Sequence, residues 1–123
     1  MKKELDDALV RDFPGLYADR NADLRQSSMA WGFDCGDGWE PIIRQLSMIL
    51  EPLGVKATQV KEKFGGLSFY VGACPHKGHE AIEAAEKESY TVCEDCGQPG
   101  KPRDDSWIRT LCDEHAMIWA ARR

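Results

Sequence analysis

The sequence predicts an α+β fold, with helices packed on a β-hairpin and a finger of cysteines and one histidine as the last packing unit. Three observations carry this expectation. An apolar stripe at three-and-four spacing runs from Trp39 to Leu53, the pattern of a helix with one broad buried face. Residues 55–63 and 67–71 are strand-like and flank Phe64-Gly65-Gly66, a hairpin connection. Cys93 and Cys96, with two residues between them, are answered by Cys112 and His115. One domain is the natural count for 123 residues, a core over 1–90 with the finger integrated at 91–123.

In chain order, residues 2 to about 12 read as a helix with Leu5, Ala8 and Leu9 on one side, ended by Pro14-Gly15. Residues 19 to 29 fit either a short helix or an ordered loop. Between Trp31 and Trp39 stand three aromatics and three glycines, which predict a closely packed turn. Asp37 with Glu40 three residues later predicts a capping box opening the next helix, and Pro41 is tolerated in its first turn. The buried stripe of that helix is expected to be Trp39, Ile42, Ile43, Leu46, Ile49, Leu50 and Leu53, with Pro52 and Gly54 stopping it. On the hairpin, Leu67, Phe69 and Val71 alternate toward the core, while Lys56, Lys61 and Lys63 suit a solvated edge. Residues 74–79 read as a loop and residues 80 to about 89 as a helix with Ile82, Ala85 and Ser89 inward.

Cys93, Cys96, Cys112 and His115 are the donor set of one structural Zn²⁺. Zinc takes four tetrahedral sulfur and nitrogen ligands as two close pairs, and a filled shell leaves no open position for catalysis. Gly97 supplies the positive φ that a chain turning back around an ion needs. Gln98-Pro99-Gly100 is a turn, and Ser106 to Leu111 predicts a short strand with Trp107 and Leu111 on one face. Asp113 and Glu114 open a final helix where its dipole favours negative charge. Ala116, Trp119 and Ala120 mark its stripe, and Arg122 and Arg123 close it. Knuckle, hairpin and ligand-bearing helix together resemble a treble-clef zinc finger.

The composition narrows the functional classes. Formal net charge is −5 and hydrophobic residues make up 42% of the chain. The amino-terminal stretch is acidic and amphipathic, unlike a secretory signal, and no segment approaches a membrane span. Five cysteines and a zinc donor set then place the chain in a reducing cytoplasm. A bulk nucleic-acid binder is normally basic. The finger instead sets Lys101, Arg103, Arg109, Arg122 and Arg123 against six carboxylates. Cys74, His76 and His79, joined by Cys35, form the other place where a metal or a Cys–His pair could assemble.

Two resemblances follow from these residues. Trp31-Gly32-Phe33, residues 35–39, 60–67 and 93–100, and Thr110-Leu111-Cys112 together resemble a family of small uncharacterised proteins from phages, prophages and their bacterial hosts. That likeness covers roughly residues 20 to 115 and implies a setting, interference with a host or defence protein, but no activity. Residues 90–97 are similar to the zinc knuckle of DksA/TraR regulators, which act in the secondary channel of RNA polymerase. The long coiled-coil hairpin of those regulators is replaced here by a β-hairpin and short helices.

The leading functional expectation is a binding or regulatory protein that engages a protein partner through Trp107 and Trp119, with Arg103 and Arg109 beside them. The alternatives are a nucleic-acid-binding finger using those arginines and the hairpin lysines, and a small enzyme using Cys74, His76 and His79.

Overall fold

The computed structural model describes residues 1–104 and 107–122. The expected strand start at Ser106 and the closing Arg123 lie outside the described residues. Helix α1 (Lys3–Asp12) buries Leu9 and carries Asp6, whose carboxylate meets Arg20 at 3.0 Å. Residues 18–31 include two single 3₁₀ turns, Ala18–Asn21 and Ser28–Trp31, so the expected choice between a short helix and an ordered loop resolves into short helical turns joined by a loop. Arg20 ties the two turns together by also donating to Ala30 O at 3.0 Å.

Phe33–Asp34 is a strand, β1, which the sequence did not announce. Two residues carry no alternation to detect. It pairs in parallel with β2 (Ala57–Lys63), and β2 pairs antiparallel with β3 (Gly66–Val71), giving the order β1-β2-β3. Phe64 (φ 54°) and Gly65 (φ 85°) form a two-residue connection with both backbones left-handed, the turn whose twist matches a hairpin. The expected hairpin is therefore present, with its turn at 64–65 and Gly66 inside β3. Gly66 is buried because the Tyr90 ring occupies the space where its side chain would be.

The edge of β3 is closed by α3 (His76–Ser89): the Leu67 N–H donates to Ser89 Oγ at 2.9 Å and the Phe69 N–H to Glu86 Oε1 at 3.4 Å. An uncovered strand edge is a template for unwanted pairing, so these two side chains also limit aggregation. Helix α3 begins at His76, four residues earlier than the sequence suggested. Gly78, taken as a loop signal, is a packing residue instead. A Cβ there would overlap Cys74 Sγ and press on Leu50 and Leu53, so glycine lets α3 approach α2 (Glu40–Leu50).

The start of α2 also differs from expectation. Asp37–Trp39 is a 3₁₀ turn, and Asp37 caps nothing in the helix: its Oδ1 accepts the Lys2 backbone N–H at 2.7 Å, while Glu40 pairs with Arg44 at 2.7 Å. Ile42, Ile43, Leu46 and Leu50 are buried as expected, but Ile49 is 48% exposed. At about 100° per residue, position 49 lies roughly 80° from the centre of the stripe, beside exposed Met48. The core gathers Trp39, Tyr17, Phe33, Leu67, Phe69 and Ile82 with these aliphatics, and Cys35 and Cys74 belong to it as packed side chains. Tyr17 donates to or accepts from Ser47 Oγ at 2.6 Å, which satisfies the one polar atom its burial would strand.

The carboxy-terminal part adds a ribbon, β4 (Lys101–Arg103) with β5 (Arg109–Leu111), and α4 (Asp113–Ala121). Leu111 is fully buried but Trp107 is 64% exposed, so the two do not share a face. Strand β5 starts only at Arg109, and Trp107 lies in a bend before it. On α4, Ala116 and Trp119 are half-buried while Ala120 is exposed, and no residue of the helix is fully buried. Among the described residues, no helix is long and apolar enough to cross a membrane.

Candidate metal centre

Local geometry builds the centre from two chain segments. In the first, the Cys93 N–H donates to Gln98 O at 2.7 Å and the Gly97 N–H to Cys93 O at 2.9 Å, folding residues 93–98 into a tight knuckle. Gly97 takes φ 82°, a left-handed conformation in which a side chain is strained. In the second, Cys112 is the N-cap of α4 and its Sγ accepts the His115 N–H at 3.4 Å. The first helical turn thereby brings Cys112 and His115 onto one face. The Glu94 N–H donates to Thr110 O at 3.0 Å and fastens the knuckle to β5.

These contacts bring all four expected ligands together. The donor atoms of Cys93, Cys96, Cys112 and His115 lie within 4.8 Å of one another. Cys96 Sγ is 3.8 Å from Cys112 Sγ, and His115 Nδ1 is 3.2 Å from Cys112 Sγ. This is an arrangement that could hold a metal ion. The electrostatics fit a cation. Burial raises the Cys93 thiol, but the backbone N–H groups of Cys112, Cys96 and Asp95 outweigh it, so Cys93 ionises more readily than usual. At Cys96 the Gln98 N–H favours the thiolate, yet burial and the Cys93 and Cys112 sulfurs push it up to about 11. Cys96 carries charge poorly beside two neighbouring sulfurs, and a divalent cation would remove that conflict.

The centre rests on the glycine-rich segment before α2. Gly38 donates its N–H to Glu94 O at 2.7 Å, and Gly36 donates to Glu94 Oε2 at 2.9 Å. A Cβ on Gly38 would lie 2.5 Å from Gly97 N and closer still to Cys93 O, so backbone meets backbone here with no room for a side chain. The Trp39 indole N–H completes the seat by donating to Val92 O at 2.9 Å. The composition of residues 31–39 had signalled tight packing; its partner, the knuckle some 55 residues on, had no signal.

Beneath the knuckle, Glu94 is 5% exposed, and burial raises its carboxyl despite the Gly36 N–H and the Arg109 guanidinium 3.5 Å away. Arg109 also meets Asp95 at 2.8 Å and lies 5.8 Å from the Trp119 ring. Arg103 donates twice to Leu111 O and pairs with Asp113 at 2.9 Å. Arg103 and Arg109, expected beside a partner, both brace the finger through these contacts. Trp119 is half-buried against Arg109, and Trp107 stands in solvent.

The other candidate cluster, Cys35, Cys74, His76 and His79, is not among the converging donor groups. His76 and His79 are exposed on the first turn of α3, and His76 pairs with Glu80 at 2.7 Å. Cys74 Sγ donates to Pro75 O at 3.4 Å, and burial pushes the Cys35 thiol up to about 12. Among the described residues, the Cys93–Cys96–Cys112–His115 group is the one set of donors that converges.

Fold and centre define the class as an α+β protein whose Cys₃His cluster, close enough to hold a metal ion, is seated on its core. No protein-family model matches the chain, and no curated protein or solved structure gives a significant match to it.

Proposed function

We propose that this protein is a zinc-stabilised binding module that acts on a protein partner, its finger folded in the treble-clef manner. Zinc is the ion that suits three thiolates and an imidazole in a closed tetrahedral shell, for which neighbouring sulfurs lie about 3.8 Å apart. The Cys96–Cys112 distance of 3.8 Å supports that choice. The ion would hold the fold, and the knuckle, the β4–β5 ribbon and the α4 helix supply the three parts on which the treble-clef reading rests.

The observation that carries the binding reading is the aromatic surface around the hairpin turn. Phe64 is 71% exposed, Trp107 64% and Tyr90 41%, and they come from three different elements. Gly65 packs against Ile108, the sequence neighbour of Trp107, and Gly66 against Tyr90, so the segments carrying these aromatics meet at the turn. Phe64 holds a left-handed backbone that costs a bulky residue stability, which a purely structural turn would avoid with asparagine or glycine. Exposed aromatics of this kind are enriched at protein interfaces. Lys63 lies 5.7 Å from the Phe64 ring and keeps a cation at the patch.

The test is affinity capture with the metal-loaded protein and its Trp107→Ala variant, each with and without nuclease, followed by metal analysis of the bait. A single protein captured in both nuclease arms by the wild type and lost by the variant is the expected result. Capture that disappears with nuclease, or that is indifferent to Trp107, would overturn the reading.

A further inference from the structure

We propose that Cys96 and Cys112 form an oxidation site: a hydroperoxide joins them in a disulfide, expelling the metal and releasing α4. This rests on the zinc reading above and adds to it a vulnerable edge.

The three sulfurs differ in access. Cys93 is fully buried, with Gly38 and Gly100 packed against its backbone. Cys96 is exposed at the tip of the knuckle, and Cys112 is half-buried beside it with the two Sγ atoms 3.8 Å apart. A peroxide reaches Cys96 first. The Cys96 thiolate attacks the O–O bond, takes one oxygen as a sulfenic acid and releases hydroxide. The Cys112 thiolate then attacks the Cys96 sulfur and displaces the second hydroxide. The two thiolates lose two electrons in total and the peroxide gains them, two protons converting both hydroxides to water. The ion keeps only Cys93 and His115, two of its four ligands.

The consequence is confined by the architecture. No residue of α4 is buried, and the helix is held by the Cys112 cap, His115, the Arg103–Asp113 pair and the contact of Trp119 with Arg109. The central core includes none of the four ligands among its members. Losing the ion therefore frees α4 and leaves the α1–α3 and β1–β3 body standing.

The experiment treats zinc-loaded protein with stepwise equivalents of hydrogen peroxide. Released zinc is read with a chromogenic chelator, tryptophan emission reports α4 through Trp119, and peptide mapping locates the disulfide. One ion released per Cys96–Cys112 disulfide is expected, with loss of helical signal worth the nine residues of α4 and recovery on adding dithiol and zinc. The Cys96→His variant keeps four ligands but removes the disulfide partner, so it should retain zinc under the same peroxide. Retention of zinc while Cys74 oxidises, a disulfide that includes Cys93, or zinc loss from Cys96→His as fast as from wild type would each overturn the inference. Should that variant fail to fold, the wild-type disulfide map decides alone. A purified protein carrying no zinc at all would instead count against the zinc reading, so the two failures are separable.

Discussion

Gly38→Ala tests whether the finger's seat is as tight as its geometry implies. The backbone at Gly38 is not left-handed, so alanine would be accepted there on conformational grounds. The obstacle is space. The new Cβ would lie 2.5 Å from Gly97 N and 2.7 Å from Glu94 O, against a practical minimum of 3.0 Å, so knuckle and α2 must separate by at least half an ångström. The Gly38–Glu94 hydrogen bond at 2.7 Å and the Trp39–Val92 bond at 2.9 Å both span that gap. Losing the first costs about 1–3 kcal/mol and weakening the second about 1 kcal/mol. The stiffer unfolded chain of the alanine variant offsets about 0.4–1 kcal/mol. The net expectation is a loss of about 1–3.5 kcal/mol, which lowers Tm by roughly 3–18 °C for a chain of this size. Thermal unfolding of the zinc-saturated protein reads it. Gly72→Ala is the control, because its Cβ would meet open space and its stability should stay within about 0.5 kcal/mol of wild type. If the two variants melt together, the knuckle is not wedged on Gly38 and the reasoning fails.

Cys96→Ser, or prolonged treatment with a strong chelator, should strip the metal and melt the finger, because the binding free energy of structural zinc is folding free energy on the order of 10 kcal/mol; an unchanged melting profile with full metal content would remove the site assignment. Phe64→Asn should stabilise the protein by about 1 kcal/mol by relieving the left-handed backbone, yet weaken partner capture, so binding that survives the change would count against the aromatic surface. Glu86→Gln tests the edge cover of β3. Burial holds this carboxyl above its ordinary value near 4.5 even though it accepts the Phe69 N–H. The folded state then binds the proton more tightly than the unfolded chain, so this group's contribution falls as pH rises above about 4.5 and remains lost at neutral pH. The variant keeps the acceptor without the charge, and its Tm advantage over wild type should be larger at pH 7 than at pH 5; an advantage that shrinks with pH would refute the burial argument.

Much of this protein was legible in its sequence because the signals were local. The three-and-four apolar spacing of α2, the alternation in β3 and the ligand pairs of the finger each lie within one element, where backbone periodicity alone decides which side chains share a face. The errors fell where a residue type has more than one use. Gly78 looked like a loop breaker and is the contact point between α2 and α3; Asp37 looked like a helix cap and instead receives the Lys2 N–H. The ion pairs of Arg103 with Asp113 and of Arg109 with Asp95 were likewise not legible, since their carboxylates lie on neighbouring segments.

The sequence by itself determined the four donors and the alternation of helix and hairpin, since short-range spacing is enough for both. The tertiary structure decided where the finger sits. Gly36 and Gly38 admit the backbone of Glu94 and Gly97, and Trp39 reaches Val92 more than fifty residues away. Such a fit depends on two surfaces meeting without side chains between them, and no pattern along one chain segment encodes the surface of the other.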